Sequence, residues 1–115
     1  MQDLRDRTKQ FALRIIRMYT ALPKGDEVAR VIGRQVLRSG TSIGAHYREA
    51  SRGRSDAEFH SKIGVALQEL DETAYWLELL VEAEVVPAAK LGGLLQETDE
   101  LIAIFVTIGK KTQSR

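Results

Sequence analysis

Arg38-Ser39-Gly40-Thr41-Ser42-Ile43-Gly44 is a run that local propensity assigns to a loop, since five of its seven residues are glycine, serine or threonine. The apolar residues on either side argue otherwise. Val28, Ile32, Val36, Ile43 and Tyr47 keep one helical phase straight through it. The reading is therefore a continuous second helix over about 26–52, with Asp26 as its cap. Gly40 and Gly44 each cost a helix interior roughly 0.5–1 kcal/mol relative to Ala, which packing has to offset.

The same periodicity extends outward on both sides. Leu4, Phe11, Ile15, Met18 and Leu22 mark a first helix over about 3–22, broken by Pro23-Lys24-Gly25. Ser55-Asp56-Ala57-Glu58 fits a capping box, and Phe59, Ile63, Ala66, Leu70, Ala74, Leu77 and Val81 follow as one stripe, so a third helix spans about 56–84. Pro87 suits the first position of a fourth, and Leu91, Leu94, Leu95, Thr98, Leu101, Ile102, Phe105 and Ile108 carry it to about 109. Gly109, Lys110 and Lys111 read as its end, with a frayed tail from Thr112. Four amphipathic helices with short connections predict an all-α, antiparallel up-down-up-down four-helix bundle, with residues 1–115 as a single domain.

Composition bounds what such a bundle can do. The 115 residues hold no cysteine, which excludes disulfides, Cys-based zinc sites and thiol catalysis. No apolar stretch approaches the ~20 residues of a membrane helix, and the charged N-terminus is unlike a signal peptide, so the expected compartment is the cytoplasm. His46 and His60 are the only histidines, neither with a second at ligand spacing, and no Glu-x-x-His pair occurs, so no metal or other cofactor is expected. Glu69, Asp71, Glu72, Glu78 and Glu82 read as a solvated face.

The formal net charge of +1 conceals an asymmetry. Residues 1–54 hold twelve Lys and Arg against five acids, and the remainder five against eleven. At 100° per residue Arg30, Arg34, Arg38, Arg48 and Arg52 share one stripe of the second helix, with Thr41 in its gap and Gly33, Gly40 and Gly44 in a row beside it. The first helix adds Arg7, Gln10, Arg14 and Arg17 on a similar ridge. Arginines a turn apart can hold successive phosphates, and a glycine row admits another backbone, which makes nucleic acid the first partner to consider, bound through Arg14, Arg17, Arg30, Arg34, Arg38, Arg48 and Arg52. The plainer alternative is a solvated face paired with acids above glycines that serve helix packing. A second alternative is an adaptor whose arginines meet the acidic half of a neighbouring subunit or a protein partner.

Beside the core stripe of the third helix lies a flank of Val65, Glu69, Thr73, Trp76 and Leu80. It is either the second edge of a wide intramolecular face or a self-association surface formed by Val65, Thr73, Trp76 and Leu80, with Trp76 as the anchor. Arg54 and His60, five residues apart, resemble the Arg-x(4–6)-His motif of small helical ribonucleases, in which arginine stabilises a phosphorane and histidine moves a proton. The expectation is nevertheless a non-enzymatic protein with no catalytic residue.

Arg38-Ser39-Gly40-Thr41-Ser42-Ile43-Gly44-Ala45, followed by Arg48-Glu49-Ala50, resembles the signature RSGTSIGAN-x-x-EA of four-helix bundle proteins related to 23S rRNA intervening-sequence proteins. A second match runs from Phe59 through Lys62-Ile63, Ala66-Leu67, Glu69-Leu70, Glu72-Thr73 and Tyr75-Trp76-Leu77. The resemblance implies a bundle that assembles into a homopentamer. It also implies kinship with the accessory protein of diversity-generating retroelements, a pentamer that binds nucleic acid (RNA or DNA) and a reverse transcriptase, so that a reverse transcriptase or a ribosomal component is an implied partner. Arg38, Ser39, Thr41, Ser42, Gly44 and Glu49 carry the signature without assigned roles. His46 stands where asparagine is usual, and Tyr47 and Arg48 where the family is apolar or small. The first change alters a polar contact and the last adds charge to the stripe.

Overall fold

The computed structural model describes residues 3–113 and contains four helices: α1 (Leu4–Thr20), α2 (Glu27–Ser51), α3 (Asp56–Glu82) and α4 (Ala88–Gln113). They run up-down-up-down as an all-α bundle 48 Å long and 20 Å across. Local chemistry sets most ends as the sequence predicts. The Asp3 carboxylate accepts from the Arg5 and Asp6 amides, that of Asp26 from the Ala29 amide at 3.1 Å, and the Ser55 hydroxyl from the Glu58 amide at 3.1 Å.

α2 is continuous through Gly40 and Gly44, and its neighbour α1 is the reason. A Cβ built on Gly40 would lie 2.7 Å from Cγ1 of Ile15, one on Gly33 2.6 Å from Cδ1 of Leu22, and one on Gly44 3.1 Å from Oγ1 of Thr8. The glycine row is thus filled by α1 of the same chain and by Leu22 just past its end. This close approach buries Ile15, Val36 and Ile43 completely and offsets the propensity cost.

Two helix ends differ from expectation. Gly109 does not stop α4, which continues to Gln113, because Thr112 is buried and its hydroxyl lies 2.9 Å from Nδ1 of His60 on α3. A lysine-flanked glycine is a weaker local signal than that packing contact. α3 ends in a Schellman arrangement, in which the Val85 amide donates to the Leu80 carbonyl and the Glu84 amide to that of Val81. The left-handed position it requires is held by Glu84, at φ 60°.

The core is one cluster along the bundle axis, with Phe11, Ile15, Ile43, Ile63, Leu70, Leu77, Leu101 and Phe105 almost wholly removed from solvent. α2 packs closely on α1 and α3, and α3 on α4, whereas α1 and α4 approach each other less closely. Among the described residues no helix is long and apolar enough to cross a membrane.

Candidate nucleic-acid interface

Arg38 begins the signature run, and α2 aims it at α3. Its guanidinium donates to Glu69 at 3.2 Å and to Glu72 at 2.8 Å. The Ser42 hydroxyl, one turn further along α2, donates to the same Glu69 carboxylate. One turn further along α3, Oγ1 of Thr73 donates to Oγ of buried Ser39 at 2.8 Å, and Lys62 reaches Glu49 at 2.9 Å, holding that carboxyl below its ordinary range. The two motifs of α2 and α3 therefore form the two sides of one polar ladder. Glu69 is buried and Glu72 half-buried in it, which corrects the reading of those two acids as part of a solvated face. A buried carboxylate needs such partners, since burial without them costs several kcal/mol.

The remaining arginines do not share a single ridge. Arg30 is held by Glu27 one turn earlier, at 2.6 Å, and the Glu27 carboxyl is pulled below its ordinary range by that bond. Arg7 of α1 donates to Glu97 and Glu100 of α4, at 2.7 and 2.9 Å. Arg14 and Arg17 lie on this same side of α1, lining a cavity that α4 closes with Lys90. Arg48 lines a groove of about 300 Å³ on the other side of α1, together with Arg5, Lys9 and Thr41. The expected continuous surface over α1 and α2 is therefore split: Arg14 and Arg17 face the α1–α4 side, and the cations of α1 that accompany the α2 stripe are Arg5 and Lys9. They flank Thr8, whose Oγ1 a Cβ on Gly44 would meet at 3.1 Å, a contact that no sequence pattern marks.

Arg34, Arg48 and Arg52 make no ion pair among the described residues, and no carboxylate lines the groove of Arg5, Lys9 and Arg48. Along a helix rising 1.5 Å per residue, Arg34 to Arg52 covers about 27 Å, somewhat less than one turn of a nucleic-acid duplex at ~34 Å. Cations outside ion pairs at this spacing are suited to phosphates.

The α3 flank also divides. Thr73 and Leu80 are fully buried within the subunit, Thr73 against Ser39, so neither can meet a second copy, and the wide-face reading holds for them. Val65 and Trp76 are half-buried, and Trp76 stacks edge-on against Tyr75, which is 53% exposed. Nε1 of Trp76 is buried without an acceptor. His46, the departure from the signature asparagine, likewise has a buried Nδ1 without a hydrogen bond, 4.0 Å from Glu49.

Arg54 lies in the connection between α2 and α3 and lines a cavity at that end of the bundle with Ser55, Phe59 and Lys111. His60 is not among the lining residues and holds Thr112 instead. Thr112 does line the cavity, so His60 stands behind its wall. Among the described residues no three His, Asp or Glu side chains converge on a point where an ion could be held.

Comparison with known proteins adds three findings. The family profile described as 23S rRNA-intervening sequence protein matches residues 2–107. A solved structure of a protein of unknown function from the S23 ribosomal protein family of Bacteroides thetaiotaomicron superposes with a TM-score of 0.87 at 37% identity, covering 94% of this chain and 99% of that one. No curated protein matches.

Proposed function

The chain belongs to the 23S rRNA-intervening sequence protein family, and on that premise we propose that it is a non-enzymatic accessory protein that binds structured RNA by its phosphate backbone. The observation that carries this reading is the row of cations outside ion pairs on the outer side of α1 and α2: Arg5, Lys9 and Arg48 across the groove, with Arg34 on α2 and Arg52 at its C-terminal cap. Such a row reads charge and shape, with little base specificity. Arg38 contributes to the architecture beneath it rather than to the contact, because two acids of α3 already engage it.

The active form in this proposal is a homo-oligomer, a pentamer by the family resemblance, in which several modest phosphate sites act together on one RNA. Val65 and Trp76, with exposed Tyr75 beside them, are the residues of α3 suited to that contact. His60 is engaged by Thr112 and does not itself line the cavity of Arg54, which favours binding over cleavage.

Fluorescence anisotropy with an RNA hairpin tests the proposal. The variant Arg34→Gln/Arg48→Gln/Arg52→Gln should lose at least about ten-fold in affinity at low salt, and the slope of log affinity against log salt should flatten by roughly 0.7–0.9 per charge removed. Arg14→Gln/Arg17→Gln, on the other side of α1, should leave both quantities near wild type. No binding at about 50 mM salt, or equal loss in both variants, overturns the assignment.

A further inference from the structure

The side of the bundle where α1 and α4 stand apart contains a cavity of about 530 Å³, beside the α3–α4 connection. Leu22, Leu91 and Leu94 form its floor, all under 10% exposed. Arg14, Arg17 and Lys90 form its rim, and no carboxylate lines it. Arg17 and Lys90 make no ion pair among the described residues. Arg14 extends across toward α4, where a Cβ on Gly93 would come within 3.2 Å of its Nη2, so the absent side chain leaves the guanidinium its place over the opening.

We propose that this cavity is a binding site for a small amphipathic anion, a single carboxylate carried on a medium-length aliphatic chain. The volume lies in the range of small-molecule sites, which are mostly apolar with a few placed polar groups. A carboxylate matches the guanidinium fork and relieves the mutual repulsion of three neighbouring cations, of which only Arg14 has an acid, Glu97, within electrostatic reach. The leucine floor sets the other half of the chemistry. Above the leucines, Met18, Ala21, Pro23, Val85 and Pro87 keep apolar surface open to the cavity; a sugar-phosphate backbone has no apolar body to cover it, whereas an alkyl chain removes it from water at roughly 25 cal/mol per Å². This site lies apart from the proposed RNA contact and stands or falls independently of it.

Isothermal titration calorimetry of the full chain with sodium decanoate is the test, with decanol supplying the tail alone and acetate the head alone. Decanoate should saturate at one per chain, and decanol and acetate should each bind at least about ten-fold more weakly. Arg14→Gln/Arg17→Gln should lower decanoate affinity by at least about ten-fold while leaving decanol unchanged. Leu91→Phe should lower affinity for decanoate and decanol together, and Ala21→Phe, which adds bulk at an exposed lining position, should do the same and serves as the check if Leu91→Phe fails to fold. Arg34→Gln/Arg48→Gln/Arg52→Gln should bind decanoate like wild type. The site is disproved by a folded protein that shows no saturable decanoate binding below about 1 mM, by decanol binding equally well, or by affinity unchanged in Arg14→Gln/Arg17→Gln. It is also disproved if phosphatidylglycerol vesicles bind and free decanoate does not displace them, since the surface would then recognise a membrane instead of a free carboxylate.

Discussion

The α2–α3 and α1–α4 seams are made of the same materials, arginine against glutamate above a floor of leucine, and they come out differently. Between α2 and α3 the backbones approach closely, so Arg38, Ser42, Glu69, Ser39 and Thr73 interlock and little space is left. Between α1 and α4 the helices stand further apart, Arg7 reaches across to Glu97 and Glu100, and a cavity of about 530 Å³ remains. Side-chain size where helices face each other explains the contrast. Small hydroxyl residues let α3 come near α2, while Arg7 and Arg14 set a long spacer between α1 and α4. A closely packed seam yields stability, and an open one yields a place for something else.

The largest expected effect tests that contrast in the core itself. Leu80, seven residues beyond Thr73 on the same face of α3, is fully buried, and Leu91 is 2% exposed on the floor of the open seam. Leu80→Ala should cost about 3–4 kcal/mol, because the surroundings cannot collapse into the void. Leu91→Ala should cost about 2 kcal/mol, since the space it leaves joins an existing cavity. Urea denaturation of the two variants measures the difference, and equal losses would mean that the open seam is as tightly packed as the closed one.

A smaller effect concerns the bridge across the open seam. The hydrogen bond from Arg7, then its charge and that of Arg14, hold the Glu97 carboxyl below its ordinary range against the opposing effect of burial. Arg7 is pushed further above an already high value and stays charged throughout. A carboxyl depressed in the folded state contributes stability that is fully present above its unfolded pKa and is lost as pH falls through the folded one. Glu97→Gln should therefore be destabilised by roughly 1–2 kcal/mol at neutral pH. That deficit should shrink as pH falls below about 4, toward the folded pKa. A deficit independent of pH would assign the effect to packing of the side chain and not to its charge.

The helices were legible in the sequence because their apolar residues keep phase over many turns, and that signal survived even Gly40 and Gly44. The candidate interface was legible only in part. Helical phase places Arg14, Arg17, Arg5 and Lys9 around α1, but which of them turns toward α2 depends on where neighbouring helices pack, and no local pattern encodes that. Thr73 and Leu80 illustrate the same point on α3. They sit beside the main apolar stripe, as a surface flank would, yet α3 touches both α2 and α4, and its buried arc is wide enough to take them in. Partner acids were hidden for a similar reason: Glu69 looks like any other acid of its helix until Arg38 is placed opposite it.

The smallest expected effect lies at the turn that forms the lip of the open seam. Val85, Val86 and Pro87 line the cavity, and they follow Glu84, whose φ of 60° puts a side chain in the left-handed region. That conformation costs an L-residue about 1–2 kcal/mol, whereas glycine adopts it freely. Glycine also gives the unfolded chain more freedom, worth roughly 0.5–1 kcal/mol in the other direction. The terms leave Glu84→Gly more stable by about 0.5 kcal/mol, or about 2–3 °C in Tm by calorimetry. A decrease in Tm would show that the Glu84 side chain contributes something the turn geometry does not. The gain matters for the comparison because the Schellman bonds from Val85 and Glu84 fix where α4 starts, and hence how wide the α1–α4 seam stands. If Glu84→Gly stabilises the fold and leaves decanoate binding unchanged, the width of the seam is set by the arginines that span it and not by strain in the turn.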